Sequence, residues 1–159
     1  MSNSIINNKI AVAVSGGGRS LENLIHLQSE NQYQVDCVIS SHASCGANEV
    51  AKKYNKELFL GDFSSVETAK LLYSFLNSRN IDLVVLAGFL KKFPTTPEWA
   101  NRIINIHPAL LPKYGGKGMY GSKVHNAVIE ANETQSGATI HFVNDDYDDG
   151  KLISQIVVP

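Results

Sequence analysis

The sequence predicts an α/β fold in which a mostly parallel sheet has helices on both faces, and two observations indicate it. Short apolar runs of strand length alternate with segments whose apolar residues recur at helical spacing. One of these runs, Leu83 to Ala87, is uniformly apolar, as expected for a strand buried on both faces. We therefore expect a single doubly wound sheet, within one domain that covers residues 1–159.

The first half of the chain alternates strand and helix. The first strand ends in the glycine turn Gly16-Gly17-Gly18, and a helix follows it. Ser64-Ser65 with Glu67 is a helix-start signal, because a hydroxyl there can accept hydrogen bonds from the first turn. The strands predicted in this half are 10–14, 35–39, 57–60 and 83–87, and a further helix is predicted near 48–54.

The second half begins after Pro94 and Pro97. A short strand at 103–106 is followed by a long loop, rich in glycine and proline, that runs from His107 to about Ser122. A helix near 123–131 then precedes strands at 138–143 and 152–158, which are joined by an acidic turn. We expect these last two strands to form a hairpin.

Composition excludes several classes of function. The net charge is -1 and 18% of residues are charged, so no strong field attracts nucleic acid or an acidic membrane surface. Residues 1–9 are polar and lack the features of a signal peptide, and no apolar run is long enough to span a bilayer. The two cysteines match neither a redox pair nor a zinc cluster. We expect a cytoplasmic protein with two free thiols and no metal.

The glycine turn is the first candidate site. Its backbone amides and the amino terminus of the following helix favour an anion, and Arg19 and Ser20 add further donors. The alternative is a tight turn that needs glycine only for its shape. A dinucleotide fingerprint is excluded because Leu21 stands where the third glycine belongs, and no P-loop lysine follows.

Asn105-Ile106-His107-Pro108 is the second candidate, at the carboxyl end of a strand, where open α/β sheets hold their sites. Asn105 and His107 point to the same side of that strand. An amide and an imidazole side by side can both bond one oxygen, which suits a carbonyl that becomes a tetrahedral oxyanion. The alternative is a structural histidine at a strand end.

The acidic turn from Asn144 to Gly150 is the third candidate. For most of its carboxylates a solvated hairpin tip is the favoured interpretation. A calcium loop of the EF-hand type is excluded because the twelfth residue from Asp145 is Ile156. His125 and His141, on elements next to the candidate strand, are held as supporting residues together with Thr139.

Four segments together resemble the phosphoribosylglycinamide formyltransferase family, the folate-dependent enzymes of purine synthesis. They are AVSGGGRSLENLI, DLVVLAGFLKKF, RIINIHPALLPKY and GATIHFVNDDYDDGKLISQIVVP, which span most of the chain in order. The resemblance implies a formyltransferase fold. It also implies transfer of a formyl group from 10-formyltetrahydrofolate to glycinamide ribonucleotide.

The resemblance assigns roles to particular residues. Asn105, His107 and Asp148 match the catalytic trio, and this match selects Asp148 among the carboxylates of the turn. The substrate phosphate is matched by Gly18, Arg19 and Ser20, and the folate by Leu90, Lys91, Lys92, Phe93 and Asn105. Members usually continue beyond the strand that ends at Val158, so the resemblance implies that the C-terminal part is missing.

Three alternatives stay open on the same residues. Water in place of the amine would give a formyltetrahydrofolate hydrolase. Another folate-dependent formyltransferase, such as the methionyl-tRNA enzyme, would share the trio but would be expected to have a larger chain with a basic carboxyl-terminal domain. A homologue that binds phosphate or folate without turnover is the third.

Overall fold

A computed structural model describes residues 8–159, which form two compact units. The first unit ends at Phe93 and the second runs from Pro94 to Pro159. Residues 1–7 lie outside the described part. They belong to the polar start on which the expectation of no signal peptide depends. That the chain is one domain stays a prediction.

The first unit contains a parallel sheet in the strand order β3-β2-β1-β4. Its core is formed by these strands and by the buried sides of α1, α2 and α3. The elements are β1 Asn8–Val14, α1 Arg19–Leu27, β2 Tyr33–Ser40, α2 Ala47–Lys53, β3 Glu57–Leu60, α3 Val66–Ser78 and β4 Leu83–Leu86.

Local sequence explains several boundaries in this unit. Gly18 precedes α1 with φ of 85°, a conformation that glycine adopts without strain. The Ser65 side chain accepts hydrogen bonds from the amides of Glu67 and Thr68 and so begins α3, as the sequence predicted. Cys37 and Cys45 are both buried free thiols, which confirms the expectation from their spacing.

The second unit contains β5, β6 and β7, each antiparallel to the next. Its elements are the short 3-10 helix Pro97–Trp99, β5 Ile103–His107, α4 Ser122–Glu130, β6 Ser136–Phe142 and β7 Leu152–Val158. The 3-10 helix was not predicted from the sequence. Its proline at the first position fits a helix start, where no amide donor is needed.

The predicted hairpin is confirmed, since β6 and β7 pair directly. The close approach of its arms requires glycine, because a Cβ at Gly150 would collide with the carbonyl oxygen of Phe142. The predicted α/β class is also confirmed, with predicted elements displaced from the observed ones by a few residues at most.

Candidate active site

Strand pairing in the second unit brings four of the predicted site residues together. Asn105 and His107 are two positions apart on β5 and therefore share a face. The antiparallel partner of Asn105 is His141, and the partner of His107 is Thr139. The hairpin thus adds two polar residues of β6 to the face that carries Asn105 and His107.

Asp148 reaches this face from the acidic turn. Its backbone has φ of 55°, a left-handed conformation that aspartate adopts more readily than most residues. Its Oδ2 lies 3.4 Å from Nδ1 of His107, and its Oδ1 lies 3.4 Å from Nε2 of His141. The His107 side chain is 3% exposed and that of Asp148 10% exposed, so this ion pair is largely shielded from water.

The hydrogen bonds of His107 distinguish its two ring nitrogens. Nε2 lies 2.8 Å from the carbonyl oxygen of Tyr114. Because a carbonyl oxygen only accepts, Nε2 must carry a proton and donate it. Nδ1, which faces Asp148, is therefore the nitrogen that gains or loses a proton.

The surroundings favour the charged form of this histidine. Burial works to lower the pKa of His107, but the hydrogen bond and charge of Asp148 and the bond to the Tyr114 carbonyl outweigh it. The pKa of His107 is therefore raised above its ordinary value.

The Asp148 carboxylate responds in the opposite direction. Burial works to raise the pKa of Asp148, but contacts with His107, His141 and the backbone amide of Gly116 hold it well below its usual range. The Gly116 amide donates to Oδ2 over 3.0 Å. The pair is therefore an ionised carboxylate beside an imidazole that is readily protonated.

The Asn105 amide completes this cluster. Its Nδ2 donates to Oδ1 of Asp148 over 3.2 Å and lies 3.1 Å from Nε2 of His141. Nδ1 of that histidine lies 2.8 Å from the carbonyl of Phe142, which fixes the orientation of the ring. Both amide protons of Asn105 thus point at protein groups, so bonding an oxygen of a substrate requires exchanging one of these contacts.

The predicted supporting residues occupy different positions. His141 is buried at the centre of the cluster. Thr139 is buried beneath it and holds the loop at 108–121, because its hydroxyl donates to the carbonyl of Ala109 and accepts from the amide of Leu111. His125 lies exposed on α4, and its supporting role stays a prediction.

The predicted phosphate loop lies in the first unit, and Arg19 and Ser20 are exposed there. The first turn of α1 has no side-chain cap. The Gly16 carbonyl accepts from the amide of Ala47, and the Gly18 carbonyl from the amide of Glu22. Within residues 8–93, the hydrogen bonds of this loop thus use its carbonyls and leave the amides of residues 16–20 without an acceptor. The loop is therefore able to accept an anion.

The predicted folate segment also lies in the first unit. Leu90, Lys91 and Lys92 are exposed, whereas Phe93 is buried. The Phe93 ring packs against Phe63 and Phe89, with centroids 6.0 Å and 5.6 Å away. Phe93 therefore anchors this segment, and its exposed neighbours are the residues free to contact a ligand.

An open pocket of about 370 Å³ lies beside the acidic turn in the second unit. It is lined by residues 95–97, 99–101, 142–145 and 150–151, among them Thr96, Asn101 and Asp145. Asn105, His107 and Asp148 are not part of its lining, so the pocket alone does not define where a reaction occurs.

Backbone groups are the contributors that the sequence did not reveal. The carbonyl of Tyr114 and the amide of Gly116 contact His107 and Asp148 from the glycine-rich loop. A Cβ on Gly115 would lie 2.5 Å from Cδ2 of Leu111 and 3.2 Å from Cβ of Asp148, so this glycine permits the close approach. The clustering of glycines after His107 was the available signal.

A metal-binding cluster and a membrane-spanning helix are both absent from the described part of the chain. Within residues 8–159, no set of three or more His, Cys, Asp or Glu side chains is placed to hold a metal ion. None of the helices in the described part is long and apolar enough to cross a membrane. That the reaction needs no metal stays a prediction.

Comparison with known proteins gives consistent matches. Residues 8–159 match the family model for formyl transferases. The chain is 38% identical over 159 residues to the chloroplastic phosphoribosylglycinamide formyltransferase of Arabidopsis thaliana, covering 94% of this chain and 54% of that protein. It is 37% identical to the Haemophilus influenzae enzyme of the same name, covering 95% of this chain and 73% of that protein.

Solved structures agree. The phosphoribosylglycinamide formyltransferase of Anaplasma phagocytophilum matches with a TM-score of 0.85 and 30% identity, over 96% of this chain and 72% of that one. This confirms the predicted formyltransferase fold. The chain spans about half the length of the plant relatives it matches. From these matches, the chain belongs to the formyl transferase family, and the relatives it resembles there are phosphoribosylglycinamide formyltransferases.

Proposed function

We propose that this chain transfers the formyl group of 10-formyltetrahydrofolate to the primary amine of glycinamide ribonucleotide, a step of purine synthesis. One observation supports this most directly. A buried His107–Asp148 ion pair, with nitrogen and oxygen 3.4 Å apart, lies beside the Asn105 amide in a member of the formyl transferase family.

The chemistry explains why such a cluster suits formyl transfer. Attack of an amine on the formyl carbon turns the carbonyl oxygen into an oxyanion, which needs hydrogen-bond donors. We assign one donor to Nδ1 of protonated His107 and the other to Nδ2 of Asn105. Asp148 stabilises the imidazolium by its charge and accepts the proton of the amine through water. The bond between the formyl carbon and N10 of the folate then breaks, and the proton passes to that nitrogen of the departing tetrahydrofolate.

The hydrogen bond to Tyr114 supports the choice of nitrogen. Since Nε2 of His107 donates to that carbonyl, Nδ1 is the nitrogen proposed to serve the oxyanion, in place of its contact with Asp148 at 3.4 Å. Asn105 joins when the oxyanion replaces Asp148 or His141 as acceptor of one amide proton. Both donors thus lie in one cluster before the charge develops, and each exchanges one contact with the protein to bond the oxyanion.

Residues of the first unit are proposed to bind the substrates. The free amides of residues 16–20 and the Arg19 side chain suit a phosphate. Exposed Lys91 and Lys92 suit the anionic glutamate tail of a folate, and Leu90 suits its apolar part. Folate supplies the formyl group, and the chain's own residues hold and polarise it.

The location and the partners are part of the same proposal. We propose that the reaction takes place in the cytoplasm. Small molecules are the proposed substrates, and the net charge of -1 argues against nucleic acid and membrane partners.

The deciding assay mixes the protein with 10-formyltetrahydrofolate and glycinamide ribonucleotide and measures the formylated product, with a reaction lacking the amine run beside it. We expect product only when the amine is present, and inorganic phosphate should compete with the ribonucleotide. His107→Asn, which keeps a polar side chain of similar size, should lose the activity.

Other outcomes assign the alternatives. Release of formate without the amine indicates the hydrolase. A rise in melting temperature with folate but no turnover indicates a binding homologue. No product, no hydrolysis and no shift with saturating folate or ribonucleotide would contradict the proposal.

A further inference from the structure

The orientation of the His107 ring depends on a loop outside the catalytic strand. Its Nε2 donates to the carbonyl of Tyr114 over 2.8 Å. Tyr114 lies in the loop at 108–121 and has φ of 58°. If that residue moves, the hydrogen bond that defines the ring's tautomer moves with it.

Glu133 is the residue that ties Tyr114 down. Its Oε1 accepts a hydrogen bond from the Tyr114 hydroxyl over 2.9 Å and another from Nζ of Lys113 over 2.8 Å. One carboxylate oxygen therefore holds two consecutive residues of the loop.

Glu133 itself is fixed at the end of a helix. It follows α4, and its amide donates to the carbonyl of Val128 over 3.3 Å. The preceding residue, Asn132, has φ of 52°, which turns the chain out of the helix. The carboxylate that anchors the loop is thus tied by its own backbone amide to the last turns of α4.

The charges of this anchor are consistent with the geometry. The pKa of Glu133 is lowered, first by the hydrogen bond from Lys113 and then by that from Tyr114. The Lys113 side chain is 68% exposed and that of Glu133 30% exposed, so water screens the pair. Such a pair is expected to contribute little to the free energy of folding. Its effect is to hold Lys113 and Tyr114 in place.

We propose that Glu133 is a positioning residue, which holds Lys113 and Tyr114 and thereby fixes the carbonyl that orients the His107 ring. It acts through Tyr114 and contacts no reacting group. The inference rests on the proposed function only for the catalytic importance of His107. The orientation and protonation of the ring are measurable without turnover.

The test follows the titration of the His107 ring by NMR, with its resonance identified by its absence in His107→Asn. In Glu133→Ala the Tyr114 carbonyl loses its anchor, so the pKa of His107 should fall by a few tenths of a unit up to about one unit. Turnover near neutral pH should fall about three- to tenfold, below the ~100-fold that a 1 Å misplacement can cause. Asp148, Tyr114 and Lys113 are the charged or titratable groups that face His107 and the anchor.

Three variants separate positioning from general damage. Glu133→Gln keeps an oxygen for the Tyr114 hydroxyl, so it should restore most of the His107 titration. Glu130→Ala removes an exposed carboxylate from the same helix end and should leave both measurements unchanged. Tyr114→Phe removes only the hydroxyl and should shift the titration in the same direction as Glu133→Ala.

The results overturn the proposal if both Glu133→Ala and Tyr114→Phe keep the wild-type titration of His107. Should Glu133→Ala fail to fold, Tyr114→Phe decides alone. A shifted titration in a protein that shows no formyl transfer would support the positioning role and count against the proposed function.

Discussion

The two units contain the same small cluster of side chains in two different settings. In the first, Lys53 and Tyr54 both donate to Oε1 of Glu22, over 2.7 and 2.9 Å. In the second, Lys113 and Tyr114 both donate to Oε1 of Glu133, over 2.8 and 2.9 Å. The difference lies in what each tyrosine touches next.

Tyr54 follows α2, and its hydroxyl lies 2.6 Å from Nε2 of His26 on α1. That cluster joins two helices at the surface through side chains. Tyr114 lies in a loop, and its backbone carbonyl bonds to the buried His107. The same set of side-chain types therefore bears on the candidate site only in the second unit, where the backbone carbonyl of Tyr114 contacts His107.

The largest effect on turnover is expected from replacing Asp148, the carboxylate beside His107. Asp148→Asn removes the charge that stabilises the His107 imidazolium, so turnover should fall about 100-fold or more while the fold is retained. Steady-state kinetics and circular dichroism measure both properties. Asp146→Asn, on an exposed neighbour in the same turn, should change neither. Equal losses in the two variants would mean that the turn as a whole matters rather than the Asp148 charge.

Thr139 is the buried residue that holds the loop at 108–121. Replacing it should lower the free energy of unfolding more than disrupting either surface cluster. Thr139→Val keeps the size of the side chain but leaves the Leu111 amide without its acceptor and the Ala109 carbonyl without its donor. We expect a loss of about 1–3 kcal/mol in the free energy of unfolding, measured with urea. Thr134→Val, at an exposed site before β6, is the matched control. A loss within error for Thr139→Val would show that the surface cluster suffices to hold the loop.

The pH dependence of stability should distinguish the second unit from the first. The folded-state pKa of His107 is raised, so its stabilising contribution is present below the unfolded value of about 6.5 and is lost as pH rises through the folded value. The folded-state pKa of Asp148 is lowered, so its contribution is present above its unfolded value and is lost as pH falls through the folded value.

The stability difference between wild type and Asp148→Asn should therefore be largest in mildly acidic buffer and should shrink above the His107 titration. Melting temperatures over a pH series measure it. A difference that grows steadily with rising pH would mean that the histidine is not the partner of the carboxylate.

The smallest effect belongs to the first cluster. Tyr54→Phe removes the hydroxyl between Glu22 and His26, so the NMR resonance of the His26 ring should move. Turnover and the His107 titration should stay at wild-type values, since the contacts of this cluster join α1 to the end of α2 within the first unit. A loss of turnover comparable to that of Tyr114→Phe would remove the contrast between the two clusters.

Much of the fold could be predicted because apolar runs of strand length and apolar residues at helical spacing are local properties of the chain. The neighbourhood of Asn105 and His107 followed from strand geometry alone. Asp148 was selected among its neighbours only through a family resemblance, because no local rule decides which carboxylate of a turn points inward.

The remaining parts of the site depend on groups that leave no mark in a sequence. The Tyr114 carbonyl and the Gly116 amide are backbone groups, which nearly every type of residue carries, so the residue type does not reveal their role. Glu133 contacts Lys113 and Tyr114 across 20 and 19 positions of the chain, a separation at which no local pattern predicts a contact. Phe93 was expected to line a ligand site but is buried among aromatic rings, since an apolar residue beside exposed lysines can serve either purpose.

The two buried thiols offer a separate way to follow the opening of the first unit. Burial raises the pKa of Cys37 to about 12, so an alkylating reagent should react there only when the first sheet separates. Cys45 donates to the carbonyl of Gly16 and should become reactive when the glycine loop alone shifts. Because both cysteines precede Pro94, labelling rates report on the first unit without interference from the second. A ligand that orders the glycine loop should therefore slow the modification of Cys45 before it affects that of Cys37.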